Sequence, residues 1–356
     1  MDLALTLLAV SFAVSFTVVK LLKPIAYNLE LVDKPGGRKL HNGSIPLIGG
    51  VAIYISVLFT AYIFLEQPLF IRFFLLSGGL IVMVGLLDDR YDISARARLA
   101  FQTLVAAIFV YGLDVYIVSF GNLFGFGDIH AAWLGYPLTI LSLIGIMNAI
   151  NMLDGMDGLV GSLIAVCFIG LVGLFGLAGQ TNYQLLCLIF IGAIAAFLLF
   201  NIWGRPSNKS IKKVFMGDAG SMFLGLSLGV LLVRGVQPDV GALKPITALW
   251  FVLLPMTDMF TIMYRRLKRG RSPMAADRTH IHHILIRAGF SKYQTLHIML
   301  IAQASFVTIG IALELFVVPE WVSFVLAVVM VLSYQYLMRH AWRFIRWSKR
   351  RLLLAS

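Results

Sequence analysis

The sequence predicts an all-α, polytopic integral membrane protein with about eleven transmembrane helices. Hydrophobic residues make up 60% of its 356 residues and charged residues only 13%, whereas soluble domains average roughly 45–50% and 25%. The apolar residues also recur in long runs, close to the roughly 20 residues that one helix needs to cross a bilayer. These two observations together exclude a soluble enzyme.

Eleven spans follow from these runs, in chain order: 3–22, 45–65, 69–87, 99–113, 134–150, 159–177, 183–200, 214–233, 242–263, 296–315 and 321–338. The fourth is short and the eighth contains Asp218, so these two are the least typical. The first run has Asp2 and no basic residue ahead of it, while Lys and Arg follow it. That order is typical of an uncleaved anchor and not of a signal peptide.

Lysine and arginine orient the predicted helices. With a periplasmic N-terminus, 26 of the 29 basic residues lie in cytoplasmic connections, as expected for a bacterial inner-membrane protein. Only Arg72, Arg234 and Lys244 fall on the other side. The C-terminus is then cytoplasmic, and its basic tail at 339–356 is expected to contact anionic lipid headgroups. The net charge of +12 therefore indicates the lipid bilayer as partner, and no nucleic acid.

Acidic residues cluster in the same cytoplasmic connections, which predicts catalytic loops near 85–98, 148–158, 201–221 and 264–292. In the first loop, Asp88 and Asp89 end the third span. Adjacent carboxylates repel unless a cation lies between them, so the pair indicates a metal site or a proton acceptor. If the helix continues, Asp88 and Asp92 share a face.

The second loop has amides and carboxylates at every third residue: Asn148, Asn151, Asp154 and Asp157. A helical or 3₁₀ path would align these four as one polar stripe leaving the membrane. Gly155 and Gly158 leave room beside the acids for a bulky ligand.

The third loop precedes the eighth span, which Asp218 opens between two glycines. Asp218 is either a helix N-cap or a hard-oxygen ligand for Mg²⁺. The ring of Phe215, just before it, offers a face on which a base can stack. The sequence leaves both interpretations of Asp218 open.

The fourth loop combines several arginines with the segment Asp277-Arg278-Thr279-His280-Ile281-His282-His283. On a helix, His280 and His283 would share a face. A metal site is one interpretation, but binding of phosphate and sugar hydroxyls fits the neighbouring arginines better. No GxxxxGK[ST] or GxGxxG loop occurs, so any nucleotide must be bound by these membrane-edge loops.

These motifs, in this order, resemble those of the polyprenyl-phosphate N-acetylhexosamine-1-phosphate transferases. The residues that carry the resemblance are Asp88-Asp89, Asn148-x-x-Asn151-x-x-Asp154-Gly-x-Asp157-Gly, Phe215-Met-Gly-Asp218-x-Gly-Ser221 and His280-Ile-His-His283. The resemblance implies one transmembrane transferase domain over 1–356. It also implies the reaction UDP-GlcNAc + undecaprenyl phosphate → GlcNAc-diphospho-undecaprenol + UMP, with Mg²⁺ or Mn²⁺, as the first membrane step of O-antigen and enterobacterial common antigen synthesis.

The resemblance also implies a role for each motif residue. The catalytic residues would be Asp88, Asp89, Asp154, Asp157 and Asn201. The metal ligands would be Asp218 and Asp88, and the nucleotide would meet Asn151, Asp154 and Phe215. The sugar and diphosphate would meet Arg266, His280, His282 and His283.

Two alternatives remain open at this point. The sister branch, which uses a muramyl-pentapeptide donor in peptidoglycan synthesis, has a longer histidine run followed by Phe-Glu, whereas this chain has His-Ile-His-His followed by Ile-Leu. A transporter would also be polytopic, but its substrate groups usually lie near the bilayer midplane. The sequence also leaves open whether the protein is a monomer or a homodimer.

Overall fold

A computed structural model describes residues 3–34, 43–66, 68–205, 212–272 and 279–340. Its secondary structure is almost entirely helical there, which confirms the all-α prediction. Within these described ranges, ten helices are long and apolar enough to cross a membrane, and a further apolar helix has 16 residues. The chain is therefore a multi-pass membrane protein. Asp277 and residues 341–356 of the basic tail lie outside the described residues, so the tail's contact with lipid stays a prediction.

The chain forms two compact units, one of residues 1–118 and 131–243 and one of residues 119–130 and 244–356. The described part of the first unit contains a two-stranded antiparallel sheet and eight α-helices. The strands are β1 (Val32–Asp33) and β2 (Ile45–Pro46). The helices are α1 (Leu3–Asn28), α2 (Gly49–Phe64), α3 (Leu69–Tyr91), α4 (Ala95–Leu113), α5 (Gly135–Leu153), α6 (Leu159–Leu177), α7 (Thr181–Ile202) and α8 (Gly217–Val236).

Helix α8 is the core of the first unit and packs against α2, α3, α5 and α6. Glycine allows the backbones of these helices to touch. A Cβ on Gly50 of α2 would lie 2.1 Å from Cα of Gly220, and one on Gly85 of α3 would lie 2.2 Å from Cα of Ala219. Real side chains do not tolerate such contacts, so the start of α8 is held directly against α2 and α3.

The second unit contains α9 (Pro245–Lys268), α10 (Ile281–Ala288), α11 (Lys292–Leu315) and α12 (Glu320–Arg339) among its described residues. Pro255 inside α9 has no N–H, so the Phe251 carbonyl one turn earlier loses its usual donor. Gln303 of α11 donates to that carbonyl at 2.8 Å instead. The Trp250 ring N–H donates to Ser323 of α12 at 2.9 Å. Both later helices are thus tied to α9 by buried polar contacts.

The predicted span ends are close to the observed helices, with three informative differences. Helix α2 begins at Gly49 and not at residue 45, because Ile45–Pro46 pairs with Val32–Asp33 in the sheet. Helix α9 continues past residue 263 to Lys268, since basic side chains are favourable at the negative end of a helix. The short helix α10 was not predicted as a separate element.

Candidate functional site

The predicted site residues form two groups of side chains, one in each unit. The carboxylate cluster of the first unit consists of Asp88, Asp89, Asp154, Asp157 and Asp218. The histidine cluster of the second unit consists of His280, His282 and His283, together with Asp258 and Tyr334.

The adjacent acids Asp88 and Asp89 have different partners. Helix α3 continues through both and ends at Tyr91, so Asp92, which adopts a left-handed conformation, lies outside the helix. Asp88 is 4% exposed and accepts a hydrogen bond from the Arg98 guanidinium at 2.8 Å. Asp89 accepts from the backbone N–H groups of Asp218 at 2.8 Å and Ala219 at 3.3 Å. These separate partners offset the repulsion between the two carboxylates.

Asp89 therefore caps the first turn of α8 from another helix. The N-terminal N–H groups of a helix carry a partial positive charge and favour a carboxylate. The interpretation of Asp218 as the N-cap is wrong, since the cap position is Met216 and no side chain of its own segment caps α8. Gly217 has φ +74°, and a Cβ there would lie 2.5 Å from a carboxylate oxygen of Asp89. This glycine makes room for Asp89.

Asp218 lies where α3, α5 and α8 meet. The Asn151 amide of α5 donates to Asp218 at 2.6 Å and to Ser221 at 2.9 Å. Asp88 lies close enough to Asp218 for their negative charges to interact. A cation beside the two carboxylates would relieve their repulsion.

The predicted stripe of amides and acids is interrupted at Asp154, so the prediction of one continuous stripe is wrong. Helix α5 ends at Leu153, and Gly158 is left-handed at the start of α6. Asn148 and Asn151 therefore lie on a helix, while Asp154 and Asp157 lie on a loop. Asn148 donates to Gln102 at 2.7 Å, and Asp157 accepts from Lys213 at 2.6 Å.

The side chain of Asp154 has no hydrogen-bond or ion-pair partner among the described residues, and the residue is exposed. Desolvation by the surrounding protein raises the pKa of this carboxyl group above its ordinary value, and the negative charges of Asp218 and Asp157 act in the same direction. This carboxyl group therefore binds a proton at a higher pH than an ordinary aspartate does.

Asn201 and Phe215 join the loops around the cluster. The buried Asn201 side chain accepts from the Gly158 N–H at 2.5 Å and donates to the Val214 carbonyl at 2.8 Å. The Phe215 N–H donates to the Pro46 carbonyl at 2.9 Å. The ammonium of Lys213 lies 5.9 Å from the centre of the half-buried Phe215 ring. Both residues thus fix the segment that leads into α8.

The histidine cluster is organised around Asp258, a buried acid in α9. His280 Nδ1 lies 2.6 Å from one oxygen of Asp258, and the Tyr334 hydroxyl donates to the other at 2.5 Å. His280 is the N-cap of α10 and not a helical residue. The expectation that His280 and His283 share a helix face is therefore wrong. The ring of His280 instead stacks with that of His282, with their centres 5.8 Å apart.

His282 is 1% exposed, and neither of its ring nitrogens has a hydrogen-bond partner among the described residues. Burial lowers its pKa to about 3, and the neighbouring His283 and His280 act in the same direction. His282 is therefore neutral at physiological pH. Arg266 lies buried in the last turn of α9. Its predicted contact with the diphosphate stays a prediction.

The carboxylate cluster has a composition that suits a divalent cation. Its five acids have two basic partners in the described residues, Arg98 and Lys213. Within that part of the chain, no three His, Cys, Asp or Glu side chains are arranged so that they could hold a metal ion by themselves. Mg²⁺ does not require such a cage, since it usually binds one or two carboxylates and completes its shell with water and substrate phosphates.

The sequence prediction assigned no role in the site to three neighbours of these residues: Arg98, Asp258 and Tyr334. Asp258 carried a usable signal, because a carboxylate inside a membrane span costs on the order of 2.5–3.5 kcal/mol and needs a reason. Tyr334 carried none, since its contact with Asp258 joins residues 76 positions apart. Arg98 is one of several basic residues near its loop, and only the structure pairs it with Asp88.

The chain is similar in sequence to known membrane transferases. Residues 70–236 match the model of glycosyl transferase family 4. The chain is 38% identical to the undecaprenyl-phosphate alpha-N-acetylglucosaminyl 1-phosphate transferase of Yersinia pestis, over 97% of this chain and 94% of the relative. It is 39% identical to the protein of that name from Escherichia coli O157:H7, over 93% of this chain and 90% of the relative. For that of Pasteurella multocida the identity is 36%, over 96% of both chains.

Proposed function

The chain belongs to the polyprenyl-phosphate N-acetylhexosamine-1-phosphate transferases, and we propose that it transfers GlcNAc-1-phosphate from UDP-GlcNAc to undecaprenyl phosphate. The products are UMP and GlcNAc-diphospho-undecaprenol. The observation that carries this proposal is the 38% identity over 97% of the chain to a relative with this activity in its name. The carboxylate cluster alone would suit several phosphoryl transfers, so the relatives supply the choice of sugar and lipid.

Asp218 and Asp88 would hold a Mg²⁺ or Mn²⁺ ion in the reaction. Such an ion would neutralise the diphosphate charge that develops during transfer. The repulsion between the charges of Asp88 and Asp218 supports this assignment, because a cation there would remove it. Asp89 holds the first turn of α8, and Asn151 holds the Asp218 carboxylate, so both fix the ligand that the ion would use.

The remaining cluster residues would position the substrates. Asp154, whose pKa is raised, would exchange a proton with the acceptor phosphate or the leaving UMP. Phe215 and Asn151 would contact the uridine, and Asn201 and Asp157 would keep the surrounding loops in place. In the histidine cluster, His280, His282, His283 and Arg266 would form the sugar and diphosphate side of the site.

Purified protein with radiolabelled nucleotide sugars tests the proposal. UDP-GlcNAc, undecaprenyl phosphate and Mg²⁺ should give labelled lipid in the organic phase and an equal amount of UMP, and chelation by EDTA should stop both. The muramyl-pentapeptide donor should give no product, because the longer histidine run and its Phe-Glu extension are missing. Transfer from the pentapeptide donor with none from UDP-GlcNAc would assign the chain to the peptidoglycan branch. If neither donor gives a product, both reactions are excluded.

We also propose that the protein lies in the bacterial inner membrane with its catalytic loops in the cytoplasm. The distribution of 26 of the 29 basic residues supports this orientation. Cysteines introduced at Asn122 and Gly241 should react with a membrane-impermeant reagent in intact cells, whereas those at Trp203 and Ser272 should react only after lysis. The opposite labelling would place the loops away from the UDP-sugar pool and would contradict the proposal.

A further inference from the structure

We propose that Asp258 is a positioning residue that fixes the tautomer and direction of His280, and that Tyr334 of α12 holds Asp258 in place. This inference rests on the proposed function, in which His280 meets the sugar diphosphate. Asp258 lies inside a membrane span and is 1% exposed. It would therefore act on the reaction only through the residues that it contacts.

Two donors and one ring nitrogen converge on the Asp258 carboxylate. The Tyr334 hydroxyl donates at 2.5 Å and the Ile281 backbone N–H at 3.2 Å, and Nδ1 of His280 lies 2.6 Å from a carboxylate oxygen. An ionised carboxylate only accepts hydrogen bonds, so it requires a donor at the His280 position as well. The ring must then carry its proton on Nδ1. That leaves Nε2 as the nitrogen of His280 that can contact a ligand.

Asp258 also sets the direction of the helix that follows His280. Its contact with Ile281 supplies an acceptor for the first turn of α10, where the N-cap side chain supplies none. Helix α10 carries His282 and His283. One buried carboxylate therefore orients all three histidines, and Tyr334 extends this support to the last described helix of the chain.

A purely structural role would require only that Asp258 stabilises the packing of α9 with α12. The two roles differ in what happens when His280 is absent. If Asp258 acts through His280, changing Asp258 has no further effect on the rate once His280 is removed. If the two residues act independently, the losses of the two single variants add in the double variant. The tautomer of His280 is a second property that packing alone would not control.

The first experiment uses nitrogen NMR of protein labelled with ¹⁵N-histidine, with the His280 signals identified by their loss in His280→Gln. Wild-type protein should show His280 with a protonated, hydrogen-bonded Nδ1. In Asp258→Asn the His280 signals should shift to mixed tautomers, while the signals of His130 and His297, which Asp258 does not contact, stay in place. Unchanged His280 signals in Asp258→Asn would overturn the inference. This measurement needs no substrate, so it is independent of the proposed reaction.

The second experiment measures kcat/KM for the nucleotide sugar. Asp258→Asn should lower kcat/KM by about ten- to a hundredfold, which is the loss seen when the hydrogen-bond partner of a metal-ligating histidine is removed in other proteins. Tyr334→Phe should lower it less. Tyr336→Phe, an exposed residue of the same helix, is the matched control and should behave as wild type. Asp258→Asn combined with His280→Ala should be no slower than His280→Ala alone. The inference would be contradicted if the losses of the two single variants add in the double variant, or if Asp258→Asn turns over at a near-wild-type rate. If wild-type protein is inactive but shows the expected NMR spectrum, only the proposed function is contradicted.

Discussion

The carboxylate cluster and the histidine cluster are built on different principles. In the first, backbones of α2, α3 and α8 touch at glycines, and the acids find partners on several elements: Arg98, Asn151, Lys213 and the first turn of α8. In the second, one carboxylate, Asp258, holds a histidine, a tyrosine and a helix start. A distributed framework tolerates the loss of one side chain, whereas a cluster organised around one acid does not. Substitutions can test this contrast.

Asp218→Asn should have the largest effect on turnover and little effect on the fold. The amide keeps the size of the side chain, and Asp89 still caps α8, but the charge that would bind the cation is lost. Removing one group that stabilises developing charge costs at least about a hundredfold in rate. The assay is transfer of labelled sugar phosphate, alongside thermal unfolding of the same samples.

Asp239→Asn is the matched control for this change. Asp239 is an exposed acid of the same unit and pairs with Arg234 rather than with the cluster. Turnover of this variant should equal that of wild type. If Asp218→Asn is also near wild type at saturating Mg²⁺, Asp218 is not a ligand of the ion.

Gly85→Ala should damage the framework of the carboxylate cluster. Its new methyl group would lie 2.2 Å from the Ala219 backbone, which forces α3 and α8 apart. Overpacking of this kind costs about 1–3 kcal/mol of stability, and the displacement of α8 should also lower turnover. The free energy of unfolding and the transfer rate would be measured together.

Gly173→Ala separates crowding from the general effect of alanine in a helix. A Cβ at Gly173 meets nothing within 4 Å, so this change should be neutral or stabilising by up to roughly 1 kcal/mol. If Gly85→Ala and Gly173→Ala lose equal stability and turnover, backbone contact between helices is not what holds the carboxylate cluster in place.

The histidine cluster should lose stability in acid through His282. Its pKa is about 3 in the folded protein and about 6.5 in the unfolded chain, so the unfolded state binds more protons between these values. The stabilisation is complete above pH 6.5 and declines as the pH falls towards 3. At pH 5 the loss is about 2 kcal/mol, at 1.36 kcal/mol per pH unit.

Thermal unfolding of wild type and His282→Asn at pH 7.5 and 5 measures this contribution. The variant cannot be protonated there, so its stability should decline less with acid than that of wild type. His297→Asn removes an exposed histidine of α11 and should keep the full decline. An identical decline in all three proteins would show that His282 is not buried in neutral form.

Local patterns were enough to predict most of the fold. The span at 159–177 coincides with α6 at both ends, because polar and glycine-rich segments interrupt the apolar run there. The start of α2 was misplaced, since Ile45–Pro46 is as apolar as a helix end but pairs with Val32–Asp33 in a sheet. Apolar character alone does not distinguish a buried strand of two residues from the first turn of a span.

The motifs indicated the acids and histidines of the site, but not what holds them. Asp89 was predicted to handle metal or a proton, and the structure shows that it caps a helix that begins 128 positions later. The stripe from Asn148 to Asp157 was extrapolated past the end of α5 at Leu153, where Asp154 leaves the helical conformation. Contacts between distant segments depend on tertiary packing, and spacing within one motif carries no information about them.

The short helix α2 has a consequence for the depth of the carboxylate cluster in the membrane. Its 16 residues span about 24 Å, which is less than the roughly 30 Å of a bilayer's hydrocarbon core. Such hydrophobic mismatch is relieved when the bilayer thins locally or when the helix end lies below the surface. Since Gly50, in the first turn of α2, touches Gly220, two residues after Asp218, the cluster follows the depth of that helix end. In the proposed reaction, a lipid phosphate would then reach Asp218 while its chain stays among the acyl tails, so the acceptor would not have to be lifted out of the membrane to react.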